Sequence, residues 1–301
     1  MTDLAITLAS FQKKQFSPIL NAIYSKEEDD RHRGELIPNQ DAEEYFAVAA
    51  ASNTMLGHLK KSPAHLQWAL AHPPEPTPAM LIGSAFHACV LEGSTFEETF
   101  VRGSELSGRT KEGKAAKAEL EARYDADKIL KPAEYDNVLA MAGAVFDHPI
   151  ASVLLERART EISTYWTDAE SGINVKGRID IIPPGESDYG RCLIDLKSTI
   201  DGSPENMARA IHNLGYARQG GLYLSPFEDR DRFLIIAVEK TPPWAVAVYE
   251  LSSNALAKGW SEAQGLLNLW SQCIENYDMN DLWPSYTPNG ITELDLPPWA
   301  Y

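Results

Sequence analysis

The sequence predicts an α/β fold: a central sheet carrying a set of acids, with helices packed around it. Three observations lead there. Two apolar, strand-like segments, Gly177 to Ile182 and Leu193 to Thr199, hold Asp180 and Asp195 and are separated by a polar loop containing Pro183, Pro184, Gly185 and Gly190. Ile162 to Thr167 alternates at period two and meets the first of these across a turn at Asp168 to Gly172, which predicts a hairpin. Stretches with helical spacing lie before and after the strands.

Along the chain, residues 1 to about 40 end in the charged run Lys26 to Arg33 and read as a short helical arm with a solvated linker, so the domain proper is expected over 41–301. Met55, Leu56 and Leu59 make one apolar helix face after Ser52, and Ser62-Pro63 restarts a helix with Ser62 as its cap. A proline-rich loop, His72 to Pro78, precedes a helix over about Ala79 to Glu92. Helical pattern then runs through Val138, Met141, Val145 and Leu154 and ends before Glu161. Ser203-Pro204-Glu205 opens a further helix. Phe233 to Val238 and Trp244 to Leu251, joined at Pro242-Pro243, predict two more strands, and Ala255 to Ile274 a closing helix. The proline- and tryptophan-rich tail, Trp283 to Tyr301, is expected to pack over the body.

Composition bounds the function. The 301 residues contain 27 Lys+Arg against 43 Asp+Glu, a formal net charge of -16, which disfavours an extended nonspecific DNA surface while leaving room for a local basic groove. The three cysteines, Cys89, Cys192 and Cys273, lie too far apart in sequence for a disulfide framework or a four-cysteine metal site, and a cytoplasmic protein is expected. No run approaches the ~18 apolar residues of a membrane span.

The chemistry concentrates between Gly177 and Thr199. Side chains alternate along a strand, so Asp195 and Lys197 point to one side while Leu196 turns into the core. With Asp180 on the neighbouring strand, two carboxylates and an ammonium can converge. Such a set suits a divalent cation that activates water beside a phosphodiester, the lysine orienting the nucleophile or offsetting negative charge. The plainer alternative is a solvated ion pair on an edge strand, but unpartnered charge within an aliphatic run is costly. His87 lies one turn after Gly83 and one before Leu91; alone it reads as a core histidine, and beside an acid-x-Lys strand as a ligand. Glu161 stands at the hairpin entrance, placed to be a third acid. Gln219 and Tyr223 are four apart on one helix face. Arg102, Arg109, Lys111, Lys114 and Lys117 are either a solvated helix start or contacts for DNA phosphates.

In that order, a helical histidine, an acid opening a hairpin, Gly-Arg-x-Asp, Asp-x-Lys and Gln-x-x-x-Tyr resemble the PD-(D/E)xK nucleases of the RecB-like branch. More narrowly, the chain is similar to the RecE-type, exodeoxyribonuclease VIII-like exonuclease domain of phage type. That likeness covers about 41–301 and draws also on Ser52 to Pro63 with its Ser-Pro-Ala-His, Gly83 to Glu92, Gly108-Arg109-Thr110-Lys111, and the Leu296-Pro297-Pro298-Trp299-Ala300 end. The proline of the family name is replaced by Ile179.

The resemblance implies a restriction-endonuclease-like core with a mixed sheet. It implies that Asp180 and Asp195 bind Mg2+ or Mn2+, with the Leu196 carbonyl and His87 completing the site and Glu161 assisting. Lys197 would position water, and Gln219 and Tyr223 would steady the lysine and the DNA strand. The implied activity is digestion of linear duplex DNA from an end, 5' to 3', leaving a 3' overhang for a single-strand annealing partner, by a ring-shaped homo-oligomer in a bacterial or phage-infected cell. Alternatives are another RecB-like nuclease, a Cas4-like one, which the missing cysteine quartet disfavours, and an inactive DNA-binding or assembly module of the same fold.

Overall fold

The computed structural model describes residues 35–73, 75–106, 108–278, 281–287 and 289–297. Its centre is a six-stranded mixed sheet in the order β1 (Glu35–Ile37), β4 (Arg159–Thr167), β5 (Asn174–Ile182), β6 (Cys192–Thr199), β7 (Arg232–Glu239), β8 (Val246–Glu250). Only β6 and β7 run parallel. A parallel pair needs a crossover, and here it is supplied by α9 (Pro204–Asn213) and α10 (Tyr216–Leu224).

Strand alternation builds a core on each face. On β7, Phe233, Ile235 and Ala237 face one cluster while Leu234, Ile236 and Val238 face the other, as expected of a strand covered on both sides. The first cluster is closed by α2 (Asn53–Lys61), α3 (Pro63–Ala71), α10 and the long α11 (Ser253–Asn276). The second lies under α4 (Pro78–Leu91), α5 (Ser94–Thr99), α7 (Pro132–Asp147) and α8 (Pro149–Leu155). Between α5 and α7 an excursion carries a small parallel pair, β2 (Val101–Arg102) with β3 (Ile129–Leu130), and α6 (Lys111–Glu121). Helix α1 (Ala42–Ala47) follows the edge strand β1.

The hairpin, the sheet with its flanking helices and the Ser62 cap follow the sequence reading; Ser62 accepts from the His65 N–H as α3 begins. Three expectations are corrected. Glu35–Ile37, assigned to the arm, pairs antiparallel with β4, so the sheet begins before residue 41. The helix read as continuous to Leu154 breaks at His148, with α7 and α8 at 91° to one another. His148 precedes a proline, which disfavours helical backbone there, and its ring accepts from the Ile150 and Ala151 N–H groups to start α8. In the tail, Trp283 is buried and the Pro284 carbonyl accepts from the Ala64 N–H, but Ile291, Leu294 and Leu296 are exposed. The helical arm expected within 1–34 and the final Pro298-Trp299-Ala300 lie outside the described residues. Among those described, no single helix is long and apolar enough to cross a membrane.

Candidate metal centre

The sheet is not continuous where the acids sit. Strands β5 and β6 share a single ladder pair, Ile181 with Ile194, and then part. The Asp180 side chain enters the gap, and its Oδ2 accepts from the Leu196 N–H at 2.8 Å, replacing a strand-to-strand bond with a carboxylate. On the other side of β5 the register with β4 is kept at Thr160–Ile181 and Ile162–Ile179, yet Glu161 and Asp180 between them do not pair. Glu161 takes φ of 51°, a left-handed conformation that costs a residue with a Cβ about 1–3 kcal/mol. Facing changes at the same point, since Ile179 packs in the first cluster and Ile181, two residues on, in the second.

This distortion turns two carboxylates toward a histidine from the α4 layer. His87 Nδ1 lies 3.6 Å from Asp180 Oδ2, and His87, Glu161 and Asp180 offer ligand atoms all within 4.8 Å of one another. Burial, reinforced by the Asp180 charge and only partly relieved by Arg178, pushes the Glu161 carboxyl up to about 7. Arg178 Nε donates to Glu161 Oε2 at 2.5 Å.

Asp195 stands beside this trio, almost wholly buried. Gln219 Nε2 donates to its Oδ1 at 2.7 Å, and Lys197 Nζ lies 2.6 Å from its Oδ2. Burial raises the Asp195 carboxyl above its ordinary range, the Lys197 charge opposing and the Asp180 charge adding. For Lys197, burial favours the neutral amine, but Asp195 and Asp180 outweigh it and hold the side chain protonated. The ammonium sits 5.2 Å from the centroid of the Tyr216 ring. Helix α10 can present these groups because it lies close against α11: a Cβ at Gly259 would fall 1.9 Å from the Ala217 carbonyl oxygen.

The structure thus brings together His87, Glu161, Asp180, Asp195, Lys197 and Gln219. Two expected roles differ. Gln219 binds Asp195, not the lysine. Tyr223 is buried against β5, where a Cβ at Gly177 would come within 3.1 Å of its ring, so it supports the strand and is not placed to touch DNA. Burial pushes its hydroxyl well above the ordinary tyrosine range. The aromatic over Lys197 is Tyr216, one helical turn before Gln219, a spacing that could have singled it out. Leu196 contributes its N–H to Asp180 and its side chain to the core. Of the basic residues, Arg102 lies on β2 and is already held by Asp136 and Glu105 at 2.7–2.9 Å, contrary to a free phosphate contact. Lys111, Lys114 and Lys117 are on α6, with Lys117 3.4 Å from Glu121; Arg109 precedes them.

The donors fit a divalent cation. Carboxylate oxygens with one imidazole suit a hard or borderline ion, and the buried Asp195 Oδ2 lacks an aligned hydrogen bond despite its contact with Lys197.

Comparison with known proteins agrees with this arrangement. Residues 52–287 match the family described as a PDDEXK-like domain of unknown function (DUF3799), and the chain belongs to that family. No curated protein matches the sequence significantly. Among solved structures, a protein from Eubacterium rectale described as "Putative exonuclease" superposes with a TM-score of 0.54 at 14% identity, over 86% of this chain and 96% of its own, which shows a shared fold.

Proposed function

We propose that this PDDEXK-like protein is a divalent-metal-dependent deoxyribonuclease that shortens linear duplex DNA from its ends. The observation that supports this best is the split between β5 and β6, where Asp180, Glu161 and His87 gather while Lys197 is held charged against buried Asp195. The description of the Eubacterium rectale protein as an exonuclease points the same way.

In this reading Asp180, Glu161 and His87, joined by Asp195 and the Leu196 carbonyl, would hold Mg2+ or Mn2+. The ion, when bound, lowers the pKa of a coordinated water and offsets charge on the phosphate. The remaining work falls to the chain. Lys197 orients the water and faces the phosphate oxygens with a fixed positive charge, Gln219 keeps Asp195 turned toward Lys197, and the Tyr216 ring confines the ammonium. Arg109, Lys111, Lys114 and Lys117 are proposed to meet the DNA backbone, a local basic stretch that would reconcile duplex binding with the acidic whole. The narrower features, 5' to 3' polarity, a ring of several copies and hand-over to a single-strand annealing protein, rest on the likeness to RecE-type enzymes.

The test compares end-labelled linear duplex with covalently closed circular duplex in Mg2+, Mn2+ and EDTA. Loss of the linear form only, and only with metal, is the expected result. Cleavage in EDTA would remove the metal-nuclease reading, and equal nicking of closed circles would replace the exonuclease by an endonuclease of the same fold.

A further inference from the structure

Glu161 is the least supported member of the trio. Its backbone is left-handed, it has no ladder partner at Asp180, and among the described residues the hydrogen bond to its carboxylate comes from Arg178. Arg178 is itself held from outside the sheet: its guanidinium carbon lies 5.8 Å from the centroid of the Tyr45 ring on α1. Tyr45 is buried, and α1 is fastened at its C-terminal end by Lys176, whose ammonium donates to the carbonyls of Tyr45, Phe46 and Val48 at 3.0, 3.2 and 2.7 Å and lies 4.9 Å from the same ring. A cation there satisfies helix-end carbonyls that have no partner within the helix. Lys176 and Arg178, two apart on β5, therefore share a face, one anchoring α1 and the other relaying its position.

We propose that Arg178 is a positioning residue through which the Tyr45 ring fixes the Glu161 carboxylate toward Asp180, making the third donor of the metal centre dependent on α1. Helix α1 lies before residue 52, where the family match starts, so this support comes from outside the matched domain. The inference rests on the metal-centre reading for its consequence, but the positioning itself can be seen without metal. A simple structural ion pair would hold Glu161 equally well whatever lay over the guanidinium. A positioned one requires the ring. Arginine is suited to this role because its planar fork can stack on an aromatic and direct Nε–H at the same time, which a lysine cannot reproduce.

The experiment uses the full chain and the variants Tyr45→Phe, Tyr45→Leu, Arg178→Lys and Glu161→Gln, each checked for folding by its thermal transition. In the metal-free protein, the Arg178 Nε–H resonance in 15N NMR reports the bond to Glu161. It should be shifted and slow to exchange in the wild type and in Tyr45→Phe, and should lose both properties in Tyr45→Leu. Calorimetric titration with Mn2+ should show ~10-fold weaker binding for Tyr45→Leu and Arg178→Lys, the scale usual for groups that orient a ligand, and binding within about twofold of wild type for Tyr45→Phe. In a Glu161→Gln background, Tyr45→Leu should add nothing. A folded Tyr45→Leu protein with an unchanged Arg178 signal, or one whose loss of Mn2+ affinity persists in full without Glu161, overturns the proposal. A ring-dependent Arg178 signal in a wild-type protein that binds no Mn2+ would instead uphold the positioning and remove the metal-nuclease reading.

Discussion

The two edges of β6 behave in opposite ways. Toward β7 it is paired at every position from Cys192 with Arg232 to Thr199 with Glu239, its apolar side chains alternating into two cores. Toward β5 it is paired once, and a carboxylate fills the next place in the ladder. One strand thus carries cohesion on one edge and chemistry on the other. A fully zipped β5–β6 edge would give Asp180 no opening, and an open β6–β7 edge would leave Asp195 without the rigid neighbour, Ile235, that holds it in place. The lesson is that an acid-bearing strand can tolerate buried charge when its opposite edge is fully bonded.

Breaking the chemical edge should have the largest effect. In the proposed nuclease, Asp195→Ala removes a ligand and the partner of Lys197, and cleavage should fall ~10^3-fold or more, about 4 kcal/mol of barrier, while the folded state persists because a buried charge has gone with it. Nuclease assay with circular dichroism checks both halves. On the cohesive edge, Ile236→Ala should cost about 2–5 kcal/mol of stability, since that side chain is fully buried. Denaturant titration measures it, and Mn2+ affinity at low temperature should not change.

Next in size, Lys197→Ala should reduce turnover ~10^2-fold, near 2.7 kcal/mol, with Mn2+ affinity retained. Normal turnover with a lowered melting temperature would make Lys197 a structural partner of Asp195 only. The smallest effect concerns pH. Glu161 is raised to about 7 in the fold from an ordinary 4.5, so the folded state binds the extra proton and its stability is present at low pH. That contribution is lost as pH rises from about 4.5 through about 7, and Asp195, also raised, acts in the same direction. Metal-free protein should therefore lose a few degrees of melting temperature between pH 5 and 7.5, and saturating Mn2+ should abolish the loss because it stabilises the ionised acids. A flat profile without metal would mean that Arg178 already compensates Glu161 fully.

Much of this was legible in the sequence where the signal was local. Period-two alternation placed Asp195 and Lys197 on one side and Leu196 in the core, and one-turn spacing put His87 on the face of α4 that meets the sheet. Signals failed where a distant partner decides the outcome. Three residues beside a charged run do not announce an edge strand, because β1 exists through its pairing with β4. The break at His148 was local and was passed over in favour of a continuous apolar pattern, although Pro149 marks it. Tyr216 and Tyr223 are both aromatic on α10, and which one meets Lys197 depends on how the helix is rotated over Gly177, a fact of packing and not of spacing. The bond from Arg178 to Glu161 and the left-handed backbone of Glu161 likewise arise only when β4 and β5 are side by side.

The carboxylate that enters the ladder also decides which inactive protein is a fair control. Asp180 Oδ2 is at once a candidate metal ligand and the acceptor for the Leu196 amide, so truncation to alanine removes two things together. It would leave a half-buried N–H without its acceptor, a loss of about 1–3 kcal/mol, and any fall in activity would be confounded with a loosened strand edge. Asparagine keeps an oxygen in that place while discarding the charge. For work in which a dead enzyme must still fold, assemble and occupy DNA as the live one does, Asp180→Asn is the informative substitution, and a comparison of the two variants separates what the oxygen does for the strand from what its charge does for the site.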